Sequence, residues 1–130
     1  MNILKIFETL STEFKENFDK YKSDEYTLEK YCAVPFFTKE IGYRNVNNWG
    51  MEEGTDIYLL FFPEGWKLGK MIVQTGAGIN KVIKSDFEPI SEEGLVKWFQ
   101  NQTNTDQMEM IASAYEILKK SGKLYFVDEE

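Results

Sequence analysis

The sequence predicts an α+β fold: an antiparallel sheet of three to five strands, covered by helices from the N-terminal and C-terminal parts of the chain. Three observations carry this. Residues 57–62 are six consecutive apolar residues, rich in aromatic side chains, which suits a strand covered on both faces. Two glycine-containing turns, at 63–66 and 76–78, divide the region 56–84 into three strand-length runs. Residues 2–21 place Ile3, Ile6, Phe7, Leu10, Phe14, Phe18 and Tyr21 at spacings of three and four, the apolar stripe of a core-facing helix.

In chain order, residues 22–26 are polar and read as a connection. Thr27 can cap a second helix beginning at 28. Pro35 removes a donor and divides that helix into pieces near 28–33 and 35–41, the second ended by Gly42, with Phe36, Phe37 and Ile41 turned inward. Residues 43–55 hold Asn45, Asn47, Asn48, Gly50 and Gly54, so a loop is expected, with a short strand at 43–47 weakly signalled.

The run at 57–62 is the strand on which the core is expected to form, since each fully buried side chain of this kind contributes about 1.5–3 kcal/mol. Pro63 ends it, and Pro63, Glu64, Gly65 and Trp66 make a turn. Met71, Val73 and Thr75 alternate with Ile72 and Gln74 in a second strand. Gly76, Ala77 and Gly78 form a hairpin turn. Residues 79–84 return as a strand near the sheet's edge, where Lys81 and Lys84 discourage pairing with another molecule.

Ser91 caps a helix whose first turn holds Glu92 and Glu93 and whose buried face holds Leu95, Trp98 and Phe99. Asp106 and Glu109 have the spacing of a capping box. The last helix runs to Lys120 and buries Met108, Ile111, Ala112, Tyr115 and Leu118, with Gly122 as its stop. Residues 124–127 read as a final strand added to the sheet, and Asp128, Glu129 and Glu130 as a frayed tail.

The 130 residues fit one globular domain, 1–130, without internal repeat or linker. Twenty aromatic side chains fill a core with few residues. The net charge of −7 disfavours a basic footprint for nucleic acid and allows a basic partner. A single cysteine, Cys32, permits no disulfide within the chain and is read as a buried structural thiol. No signal peptide and no membrane-length apolar stretch is present, so a cytoplasmic location is expected.

The sequence contains no histidine. That removes Ser-His-Asp and Cys-His catalysis and the usual zinc ligand sets. No cofactor motif appears: Gly76-Ala77-Gly78 lacks the Lys-Ser/Thr of a phosphate loop. Two sites are therefore weighed. Trp49 and Trp66 lie beside glycine in expected loops, outside any periodic stripe. With Glu52 and Glu53 they form a candidate acidic-aromatic contact surface for a protein partner. Glu52, Glu53 and Asp56 form an alternative carboxylate group for a hard cation in a metal-assisted hydrolase. A small-ligand pocket between sheet and helices is a third option. The leading expectation is a non-catalytic acidic protein that docks on another protein, as inhibitor or immunity-type factor.

Overall fold

The computed structural model describes residues 2–47 and 50–128. Helix α1 (Ile3–Glu16) and the short turns α2 (Phe18–Tyr21) and α3 (Tyr26–Glu29) precede four strands, β1 (Val34–Asn45), β2 (Glu52–Phe62), β3 (Gly65–Gly76) and β4 (Ile79–Pro89). Helices α4 (Glu92–Gln100), α5 (Asn104–Lys120) and α6 (Tyr125–Asp128) follow. The strands form one antiparallel sheet in the order β1-β2-β3-β4. Every neighbour in the sheet is a neighbour in sequence, which requires only short hairpin connections. The α+β reading holds.

The apolar run of β2 is buried on both sides, as an unbroken pattern implies. Leu59 and Phe61 enter the main core with Ile6, Phe7, Leu10 and Phe14 of α1, Leu95 and Phe99 of α4, and Met110, Ala114 and Leu118 of α5. Tyr58, Leu60 and Phe62 face the other way, where Met71, Leu28 and Ala33 cover them. The segment before β1 therefore crosses the outer face of the sheet. Tyr31 anchors it there, its hydroxyl 3.0 Å from Ser85 Oγ and its ring 5.8 Å from that of Phe87.

Several expectations are corrected. Residues 34–41 are strand, not helix. β1 lies at the edge of the sheet, with a register irregularity between Pro35 and Phe37, and both features accommodate a residue without an N–H. Ile41 consequently stands at a second irregularity and is exposed, not inward. Cys32 is also exposed. It occupies a left-handed turn position (φ 50°) between α3 and β1, which leaves its thiol outside both cores.

Helix α5 begins earlier than Asp106: the hydroxyl of Thr103 accepts from the Asp106 amide at 3.1 Å. Its buried stripe is Met110, Ala114 and Leu118, while Met108 is exposed. At its end the Lys123 amide reaches Leu118 O at 2.8 Å and the Gly122 amide reaches Lys119 O at 3.2 Å. Gly122 has φ 77°, so this is a Schellman stop. It turns the chain back onto α1, where Tyr125–Asp128 form the helical turn α6 in place of the strand expected at 124–127. Glu129 and Glu130 lie outside the described residues.

Trp66 is the largest correction. The turn between β2 and β3 is only Pro63-Glu64, and Trp66 belongs to β3. Its side chain is buried, at 3% exposure, among Phe7, Phe14, Phe36 and Phe61, with ring centroids 5.2–5.8 Å away. A buried indole needs a hydrogen-bond partner. Nε1 donates to Ser11 Oγ at 2.7 Å.

Candidate functional site

The strands run 11 or 12 residues, and the β1–β2 and β3–β4 pairings continue to Asn45↔Glu52 and Gly76↔Ile79, well past the core residues. Among the described residues, Ile41, Tyr43, Val46, Ile79 and Ile83 are large exposed hydrophobic side chains that lie on or beside the two edge strands in this distal half. Ile41 and Ile83 each mark a register shift in the pairing. Such bulges twist an edge and interrupt the ladder that another strand would extend.

Strand alternation separates the three sequence-nominated carboxylates. Glu52 and Asp56 share a face, and Glu53 points to the other. On that second face Glu53 is satisfied: Arg44 Nε donates to it at 2.8 Å and Gln74 Nε2 at 3.1 Å. Both are its register partners, and the Arg44 and Gln74 bonds hold its carboxyl below the usual range. The alternative metal group Glu52, Glu53 and Asp56 therefore does not converge. Among the described residues no three Asp, Glu or Cys side chains are placed to hold a metal ion.

The face carrying Glu52 and Asp56 is different. It forms a shallow groove of about 270 Å³ whose acidic lining residues are Glu25, Glu40, Glu52 and Asp56. Tyr43, Tyr58, Thr27 and Thr75 complete much of the wall, and none of its lining residues is basic. Glu40 is the direct register partner of Asp56. Partial burial, then the charges of Glu40 and Glu25, push the Asp56 carboxyl above its ordinary range. Burial, then Asp56 and Glu25, does the same to the Tyr58 hydroxyl. Glu52 beside the Tyr43 hydroxyl raises that hydroxyl's pKa.

Sequence spacing does not bring out Glu40, because 40 and 56 become neighbours only once 34–45 is a strand, nor Glu25, which precedes α3 and reaches the groove only through the tertiary fold. Trp49 lies outside the described residues. Trp66 is not at this surface. Of the three nominated contact residues that are described, Glu52 alone lines the groove.

A second cleft, of about 340 Å³, lies at the other end of the sheet beside Trp66, where Lys15, Glu64 and Glu92 meet the β2–β3 turn. Among the described residues no helix is long and apolar enough to cross a membrane. Comparison with known proteins finds no matching family model, no matching curated protein and no matching solved structure.

Proposed function

We propose that this chain is a non-catalytic binding protein that docks on a basic segment of another protein through the distal half of its sheet. One observation carries the reading: Glu25, Glu40, Glu52 and Asp56 line one groove that has no basic lining residue. Like charges directly opposite in a sheet are destabilising, so the Glu40–Asp56 pairing lowers stability without an internal partner to offset it. Such local conflicts are expected where a surface serves recognition. Lysine or arginine side chains of a partner would neutralise the groove, and Tyr43 and Ile79 would supply apolar contact beside it.

The absence of histidine, and the separation of Glu53 from Glu52 and Asp56 by strand alternation, argue for contact over chemistry. An inhibitor or immunity-type role in the cytoplasm is the biological form we favour, by analogy of class with small acidic proteins that neutralise a target. The test is binding of fluorescent oligolysine, neutral and oligoglutamate peptides of equal length at two salt concentrations. The account expects binding of oligolysine alone, weakened by salt, and weakened at least about tenfold, or 1.4 kcal/mol, in Glu40→Gln/Asp56→Asn. Equal binding of all three peptides, or no binding of any, contradicts it.

A further inference from the structure

The distal half of the sheet carries opposite charge on its two faces. Glu40, Glu52 and Asp56 line the groove on one of them. The other face continues the side on which Leu59 and Phe61 meet the helices. Register pairing sets Lys39 and Lys70 on either side of Ile57 there, Lys84 opposite Ile72, Arg44 opposite Glu53, and Lys81 opposite Gln74.

The two bulges do this sorting. In a regular strand Arg44 would share the face of Glu40, four residues before it. The extra residue at the register shift, Ile41, turns Arg44 to the opposite face. Ile83 acts likewise on β4: it puts Lys81 on the face of Lys84, three residues on, and out of the groove. Each bulge thus removes a cation from the acidic side and adds it to the basic one.

Part of that basic charge is used internally. Arg44 is bonded to Glu53, and Lys39 to Asp106 of α5. Lys70, Lys81 and Lys84 are exposed and make no ion pair among the described residues. Ile57 and Ile72, both half-buried, lie beside them.

We infer that the partner of this face is a second copy of the chain, with the basic sheet face of one copy seated on the acidic groove of the next. This rests on the reading of the groove as a site for basic side chains, and names one surface that fits it. Three unpaired lysines meet a groove of four carboxylates. Glu53 and Asp86 stand among the cations, which suits a surface with charges at fixed positions and not a flexible polyanion. The two patches differ, so the contact is heterologous, and each added copy leaves one face open for another. Half of a four-stranded sheet is a small contact, so the association is weak.

Translational diffusion of the full chain, measured by NMR over about a hundredfold dilution from about 1 mM, tests this. At about 0.15 M salt the apparent mass should be at least about 1.5-fold higher at the top of the range than at the bottom, and at about 1 M salt the rise should vanish. Lys81→Gln/Lys84→Gln, with its groove intact, and Glu40→Gln/Asp56→Asn, with its basic face intact, should each stay at monomer mass. Mixed in equal amounts they should associate again, to a dimer and no further, because one groove and one basic face remain between them. Lys81→Gln/Lys84→Gln should still bind oligolysine as the wild type does, which also shows that it is folded. Oligolysine binding by a wild type that stays monomeric throughout overturns the inference and leaves the reading of the groove intact. Association that survives in either variant, or a mixture that stays monomeric, also overturns it. Oligoglutamate binding that Lys81→Gln/Lys84→Gln abolishes, in a chain that does not associate, assigns the face to an acidic partner instead.

Discussion

Glu40 and Asp56 stand directly opposite one another on β1 and β2, with no cation between them among the described residues of their groove. Partial burial, and then the charges of Glu40 and Glu25, make the folded state take up a proton at Asp56 more readily than the unfolded chain does. Its native pKa lies above its unfolded one. The associated stability is present at pH below the unfolded value and is lost as pH rises through the native value. At neutral pH the ionised pair opposes folding.

Replacing Asp56 by Asn should therefore stabilise the protein at pH 7 by about 0.5 kcal/mol, the scale of a cross-strand charge pair exposed to water. At pH 3 the effect should vanish. Urea midpoints at the two pH values check this. A variant that is more stable and binds less well is the signature of a surface kept for recognition.

Trp66 and Ser11 give the opposite case, a polar contact that serves the core. Ser11 Oγ accepts the indole hydrogen and donates to Phe7 O at 2.8 Å. Trp66→Ala should cost about 3–5 kcal/mol by cavity formation. Ser11→Ala should cost about 1–3 kcal/mol, because it leaves the indole N–H buried without an acceptor. Denaturation curves for the two variants separate these terms. If Trp66→Ala keeps full stability, the aromatic cluster is not the centre of the fold.

Acid should act through Glu13. Burial alone would raise its pKa, but the bonds from Lys123 and Tyr21 outweigh that and hold it below 4.5. Burial, and then the contact with Glu13, pushes the Tyr21 hydroxyl up to about 12. For a carboxyl lowered in the native state, the stability is present above the unfolded pKa and is lost as pH falls through the native one. Glu13→Gln should flatten the acid limb of the stability curve, measured by urea unfolding from pH 6 down to about pH 2, below the ordinary glutamate range. An unchanged limb would show that other carboxylates govern acid unfolding.

The β3–β4 turn offers a gain. Ala77 and Gly78 both have positive φ, at 50° and 78°, as a type I′ turn demands. Alanine tolerates that conformation poorly, whereas asparagine visits it readily. Ala77→Asn should raise stability by up to about 1 kcal/mol without altering binding. Thermal melts of the two proteins make the comparison.

The sheet was legible in the sequence wherever pattern and turn chemistry agreed. The run 57–62, the Gly76–Gly78 turn and the Ser91 cap each state one local geometry, and each is found. The reading failed where spacing competed with side-chain type. Phe37 and Ile41 are four apart, as on a helix, yet 34–41 also holds Val34, Phe36, Phe37, Thr38 and Ile41, which favour a strand. Pro35 reads as a helix break from sequence alone, yet it marks an edge strand. At 124–127 the error runs the other way: strand-forming residues follow a stop that directs them onto α1. The groove was invisible for a related reason. Its acidic residues come from the turn before α3 and from β1 and β2, and β1 reads as helix from spacing alone.

The most direct test of the account is chemical-shift mapping of side-chain carboxyl carbons during titration with oligolysine. Glu53 serves as the internal control, because it lies on the same strand as Glu52 and Asp56 but faces Arg44 across the sheet. The account predicts saturable shifts at Glu25, Glu40, Glu52 and Asp56 and none at Glu53. Shifts at Glu53 equal to those at Asp56, or shifts confined to carboxylates outside the groove, would contradict it.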